Sequence, residues 1–307
     1  MYIIEKIKGK EMEQVLEECT LCPHNCKVNR KAGKMGRCKC DDKIRIALVS
    51  LHKFEEPCIS GKNGSGTVFF SNCNLNCIFC QNYEISHLGK GYEVSVHELA
   101  KIFIEQQEKG AHNINLVTPT MYVIQIIEAL KIAKSEGLNI PVVYNTGGYE
   151  NVETIRMLKG YIDVYLPDLK YFSNDLCKKY SKVDNYFENA SKAIKEMYNQ
   201  VGAPEFDDNG IIKKGVIIRH LVLPNYIQNT KNILKWIKEN MPDDIYVSVM
   251  SQYFPSYKAI EDDKINRKLN KKEYTNIENY IYMLDLKNGY LQDFVEDENE
   301  EQYVPEF

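Results

Sequence analysis

The segment SNCNLNCIFCQN, residues 71 to 82, carries Cys73, Cys77 and Cys80 in the pattern CxxxCxxC, directly after the β-branched and aromatic run TVFFS (67 to 71). With ten cysteines in 307 residues, independent placement would give such a triple only about 0.01 times. Three thiolates on one tight loop suit three corners of a cubane [4Fe-4S] cluster and leave the fourth iron without a protein ligand. A substrate can then take that position. Zinc is the alternative, but its structural sites close with four N or S ligands, and this loop offers three.

A second set precedes it. Cys19, Cys22, Cys26, Cys38 and Cys40 fall within 22 residues, with Gly33 and Gly36 suited to the turn that returns Cys38 to the others. In a reducing cytosol disulfides rarely persist, so these cysteines read as ligands or reactive thiols. Three readings stand: a second iron–sulfur cluster on Cys19, Cys22, Cys26 and Cys38; a structural zinc on a similar set, stapling a segment without its own core; and unligated redox thiols. His24 could replace one cysteine, and Cys58 is a further candidate farther along the chain. Cys177, outside the cluster, reads as an ordinary buried thiol.

The whole chain bounds the partners. A net charge of −4 provides no basic face, which argues against nucleic acid and against an anionic membrane. The opening MYIIEKIKGKEMEQV scatters charges among its apolar residues, and no run of 18 apolar residues occurs, so the expectation is a soluble cytoplasmic protein. At 44% hydrophobic residues, a chain of this length can bury one barrel-sized core.

The elements that must position the cysteines follow a repeat. TVFFS, INLVT (114 to 118), PVVYN (141 to 145), DVYLP (163 to 167), GVIIRHLVLP (215 to 224) and IYVSVMSQY (245 to 253) are each followed by a helical pattern. Six strand–helix units predict an α/β fold with a parallel sheet, open or partly closed into a barrel, whose chemistry gathers at the carboxyl ends of the strands. Residues 1 to 62 form a cysteine-rich amino-terminal metal-binding region, 63 to 292 the core, and 293 to 307 an acidic tail whose closing YVPEF could dock back on the body.

The sequence GSGTVFFSNCNLNCIFCQNYEIS, with the aromatic Phe79 before the third cysteine, resembles the radical S-adenosylmethionine (SAM) superfamily, and most closely proteins similar to pyruvate formate-lyase activating enzyme, in the uncharacterised PflX-type branch. The resemblance covers nearly the whole chain. It implies a partial (β/α)6 TIM-like barrel with the cluster at its mouth, held by Cys73, Cys77 and Cys80, with Phe79 beside the cofactor. SAM chelates the open iron there, and one electron, from flavodoxin or ferredoxin, splits it to a 5′-deoxyadenosyl radical that abstracts hydrogen. It thus implies an oxidoreductase acting on a protein or peptide; a radical enzyme of a small metabolite and a non-catalytic iron–sulfur or zinc protein that binds a partner are the alternatives. Such a radical survives only where water and stray side chains are excluded.

Residue by residue, the resemblance assigns Thr118 and Thr120 of NLVTPT to the segment contacting the SAM amino group, although the acid of the family's GGE form is missing. Read by itself, Pro119 starts a helix that Thr118 caps. Asn145 and Thr146 of YNTGG and Asp168 and Lys170 of YLPDLK match strand ends that in the family form a cation site beside the SAM carboxylate, with Asn145 replacing an acid. The bland alternative for Asp168 and Lys170 is a surface ion pair worth ~0–1 kcal/mol. Of Arg219 and His220 in VIIRHLVLPN only one can face the barrel interior; His220 is the expected pocket residue. Gln252 and Tyr253 of MSQYFP are candidates for the substrate mouth, with aromatic packing the simpler role for Tyr253. Accessory clusters of glycyl-radical activases follow the radical SAM loop, whereas here the extra cysteines precede it.

Overall fold

The computed structural model describes residues 14–294 and 304–307. Ten strands form one sheet: β1 (Ile44–His52), β2 (Ser65–Phe70), β3 (Tyr92–Val94), β4 (Ile114–Val117), β5 (Val142–Thr146), β6 (Val164–Pro167), β7 (Glu205–Phe206), β8 (Ile212–Leu221), β9 (Tyr246–Met250) and β10 (Gly289–Leu291). Their order is β10-β9-β8-β6-β5-β4-β2-β1-β3, with β7 attached to β8. From β2 to β10 the neighbours on this path are parallel, while β1 lies antiparallel between β2 and β3. β2, β4, β5 and β6 are buried at every residue, as strands covered on both faces require. All six expected strands are present. The sheet ends at β10 and β3 without closing, in agreement with a partial barrel.

The helices follow from their patterns. Val96–Glu108 begins at a capping box between Ser95 and Glu98 and buries Leu99, Ala100 and Phe103, the apolar stripe that docks it on the sheet. Among the described residues no helix is long and apolar enough to cross a membrane.

Two segments depart from the expected division. The region 1–62 is not a detached unit, because its β1, IRIALVSLH, pairs with β2 along six residues. An antiparallel strand needs no crossover helix, so it left no mark on the strand–helix repeat. Beyond β1 the chain enters the barrel: the single turn Pro57–Ser60 places Cys58 and Ile59 among Val143, Val164, Leu166 and Ile217. Of the expected acidic tail, 295–303 lie outside the described residues, as do 1–13. Its last residues do dock, since the Phe307 ring sits 5.4 Å from that of Phe69.

Strand β8 corrects the choice between its two polar neighbours. Arg219 faces the barrel interior, whereas His220 points to the helical side, fully buried, with Nδ1 2.7 Å from the Leu169 carbonyl and Nε2 2.9 Å from Thr230 Oγ1. The alternation of the pleat forbids both from facing inward, and the register with β9, Arg219 beside Ser248 and His220 beside Val249, sets which one does.

Burial pushes the His220 imidazole down to about 4. The unfolded chain takes up a proton between pH 6.5 and 4 that the folded chain refuses, so this contribution to stability is complete above pH 6.5 and is lost as pH falls through that window. A His220→Gln variant should therefore lose less stability than the wild type between pH 7 and pH 4, by up to about 3 kcal/mol, as read by urea unfolding at both pH values.

Candidate active site

The cysteine loop is built by backbone contacts from three directions. Asn72 leaves β2 in the left-handed region, a conformation Asn tolerates. The Asn76 and Ile78 amides donate to the carbonyls of Ser181 and Tyr180. His24 reaches the Asn74 carbonyl at 2.7 Å, and Asn74 Nδ2 donates to the Tyr149 carbonyl at 2.6 Å. Cys77 Sγ lies 2.9 Å from Ser181 Oγ, which in turn contacts the Tyr171 hydroxyl at 2.7 Å.

Cys73, Cys77 and Cys80 line one cavity of about 230 Å³ at the carboxyl ends of the strands. Burial pushes all three thiols up, Cys80 to about 12. A cationic metal centre reverses that preference, because only thiolates ligate. Among the described residues no three His, Cys, Asp or Glu side chains converge on a single ion. A cubane spreads its thiolates over separate irons, so three cysteines around a shared void, rather than around one point, fit a cluster.

The expected strand-end residues divide. Phe79, Thr118, Asn145, Thr146, Asp168 and Lys170 line the cavity with the cysteines. Phe79 is held edge-on by Tyr180 and Tyr253. Thr118 is no helix cap. Its φ is +60°, and the helix begins only at Val123 after a 3₁₀ turn, without a side-chain cap. A β-branched residue in that region is strained, and the strain sits on the cavity wall. Thr120 turns away instead: its hydroxyl donates to Glu150 Oε1 at 2.6 Å, and the Thr146 hydroxyl donates to the same oxygen. Glu150, which the sequence reading passed over, thus joins the loops after β4 and β5. Its carboxyl is buried and pushed up to about 7, the hydroxyls of Thr120, Thr146 and Tyr144 opposing the rise.

Asp168 and Lys170 are not a surface pair. Lys170 Nζ donates to Asp168 Oδ2 at 2.5 Å with both side chains less than a fifth exposed. Asp168 Oδ1 accepts from Arg219 Nε at 3.0 Å, and Arg219 also donates to Glu55 Oε2 at 2.9 Å and Asn145 Oδ1 at 2.6 Å. Glu55 Oε1 takes the amides of Asn115 and Asn145. Burial pushes Asp168 up, but Lys170 and Arg219 more than offset it and hold the carboxyl below its usual range. Asn145 accepts from the guanidinium and donates to Glu55, a double role that an ionised carboxylate cannot fill. Of the groups that meet in this site, sequence reasoning set Arg219 aside in favour of His220 and missed Glu55 and Glu150. The signal for Arg219 was its position on β8; nothing local marked Glu55.

In the amino-terminal set, Cys22 has Cys19 and Cys38 as charge neighbours, and burial raises its thiol. Cys26 Sγ accepts from the Arg37 amide at 3.4 Å, beside Gly36. Hydrogen bonding from Cys40 lowers the Cys38 thiol to about 6 against the effect of burial, while Cys40 contacts the Tyr122 hydroxyl. His24 uses its Nε2 on the Asn74 carbonyl rather than joining the cysteines. Cys58 lies at the barrel foot, away from both sets, and Cys177 is buried against the Val183 carbonyl. Gln252 lines the cavity, whereas Tyr253 is buried with its hydroxyl on the Ile265 carbonyl.

A family model for the Radical SAM superfamily matches residues 67–237. An uncharacterized protein of Methanocaldococcus jannaschii is 35% identical over 277 residues, spanning 87% of this chain and 75% of that one. Among solved structures, methylornithine synthase (PylB) is similar with a TM-score of 0.48 and 17% identity, over 69% of this chain and 59% of that one. SuiB of Streptococcus suis bound to S-adenosylmethionine has a TM-score of 0.49 and 16% identity, over 77% of this chain and 51% of that one. The chain therefore spans between half and three fifths of the length of those two solved structures. On the family model and the archaeal relative, the chain belongs to the radical SAM superfamily.

Proposed function

We propose that this radical SAM enzyme binds a [4Fe-4S] cluster on Cys73, Cys77 and Cys80, cleaves SAM reductively and takes hydrogen from a protein or peptide, in the manner of a glycyl-radical activase. The observation that carries the reading is that the three cysteines share one cavity with Thr118, Thr146, Asp168 and Lys170. The cluster, when bound, supplies the electron that splits SAM. The chain's own groups do the rest. Lys170 offers a cation at the cavity wall, suited to a carboxylate. Thr118 and Asn145 offer polar groups beside it, and Phe79 an apolar face. Flavodoxin or ferredoxin is the electron donor in this reading, and the cytoplasm its compartment.

A second reading, a radical enzyme of a small metabolite, is favoured by one observation: an adjoining cavity of about 400 Å³, within the range of small-molecule sites. For the amino-terminal cysteines we propose a second metal, an iron–sulfur cluster or a zinc, on Cys19, Cys22, Cys26 and Cys38. The segment sits on the cysteine loop through His24 and on the barrel through Asn151 and Thr154, which donate to the Thr20 and Leu21 carbonyls, the placement of a support or an electron relay.

Anaerobically reconstituted protein given SAM and dithionite should release 5′-deoxyadenosine, and Cys77→Ala should release none above background; equal release by the two would overturn the assignment. Iron, sulfide and zinc should be measured in the wild type and in a Cys73/Cys77/Cys80→Ala variant. Metal retained by the variant belongs to the amino-terminal set, and its identity decides between cluster and zinc. If none is retained, that set is unligated.

A further inference from the structure

The cavity of about 400 Å³ shares Phe54, Glu55, Arg219, Met250 and Gln252 with the cysteine cavity. It lies on the side where, among the described residues, the sheet ends at β10. Its other walls include Ser248 of β9, Tyr290 of β10 and Glu56.

Glu56 differs from the other carboxyls that line the two cavities. It is 8% exposed, yet its Oε2 has no hydrogen-bond partner. Among the described residues five buried side-chain oxygens are in that condition, on Glu56, Gln106, Asn115, Gln125 and Glu150, and only Glu56 belongs to a residue lining either cavity. An unpartnered buried acceptor is costly, and a buried carboxylate more so. Burial accordingly pushes this carboxyl above its usual range, with Arg219 and a hydrogen bond from the Ser248 hydroxyl opposing and Glu55 adding to the rise, so it is Oε2 alone that lacks a donor.

The charges of the barrel interior show what is missing. Asp168 is held by Lys170 and Arg219, and Glu55 by Arg219. Glu56 is a third carboxyl set against those two cations. At the cavity rim Lys53 and Asp293 are exposed and opposite in sign, so they leave that interior imbalance unchanged.

We propose that this cavity binds the substrate through a cationic nitrogen, a primary ammonium or a guanidinium, which donates to Glu56. The proposal deepens the radical SAM reading and rests on it, because the adjoining cavity is where the hydrogen-abstracting chemistry would arise. A bound cation supplies both the missing donor and the missing charge. An anionic group would meet Glu55 and Glu56 together, and a neutral hydroxyl would leave the charge unbalanced.

SAM itself carries a positive charge, so the test separates the two ligands. Binding of n-butylammonium, with butan-1-ol and butyrate as neutral and anionic isosteres, is followed by saturation-transfer NMR on cluster-loaded full-length protein saturated with SAM. The ammonium should bind at least tenfold more tightly than either isostere, and Glu56→Gln should weaken it about tenfold. Equal binding of the three isosteres, an unaffected Glu56→Gln variant, or loss of ammonium binding on adding SAM would overturn the proposal. The isostere comparison uses the wild type alone and so does not depend on how the variant folds. Release of 5′-deoxyadenosine without cation binding would refute this inference and leave the radical SAM reading intact. Cation binding without SAM cleavage would do the reverse.

Discussion

The guanidinium of Arg219 is the constraint on which the interior of this barrel depends. Its donors reach Asp168 at the end of β6, Asn145 on β5 and Glu55 on the segment beyond β1. A guanidinium at this depth is tolerated only when its charge is opposed and its donors are met, and removing one partner of such a pair costs about 3–5 kcal/mol. The three groups therefore hold one another. Glu55 brings the segment after β1 into the barrel, and Asp168, fixed on one oxygen, presents Lys170 on the other at the cysteine cavity.

The same interaction divides the interior into two compartments. Arg219 and Glu55 line both cavities, so the wall between cofactor and substrate, in the proposed reading, consists of mutually neutralised charges. Groups on the cofactor side are largely satisfied within the protein. The loops after β4 and β5 are joined through Glu150, which takes two threonine hydroxyls on one oxygen. Among the described residues the open valences here are thiols that a metal would convert to thiolates, and one carboxyl oxygen each on Glu56 and Glu150, of which only Glu56 lines a cavity.

The amino-terminal cysteine segment is held differently. It borrows the barrel's polar groups. Arg30 is buried at 1% exposure and bonds to the carbonyls of Met121 and Asp41, while Arg37 bonds to the carbonyl of Lys182. A cation buried against carbonyl oxygens substitutes for part of the apolar core that so short a segment lacks. This docking holds the segment against the loop of Cys73, Cys77 and Cys80, where His24 reaches the Asn74 carbonyl.

How much of this was legible in the sequence follows from the range of each interaction. The triad Cys73, Cys77 and Cys80 was legible because a tight loop brings its own residues together, and spacing alone expresses that. The six parallel strands were legible because a strand covered on both faces must be apolar throughout. β1 was not, since an antiparallel strand stands outside the strand–helix repeat and its mostly half-buried residues carry a weaker pattern inside a turn-rich region. The choice between Arg219 and His220 was not either, because alternation states that the two diverge and only pairing with β9 sets the parity. Glu55 and Arg219 are 164 residues apart, and Glu150 meets Thr120 across 30. No periodicity links such pairs. The sequence by itself determined the cysteine spacing and the strand–helix repeat, which are local; the tertiary structure alone decided which buried charges meet and which carboxyl oxygens are left without a partner, because only folding brings them within a few ångströms.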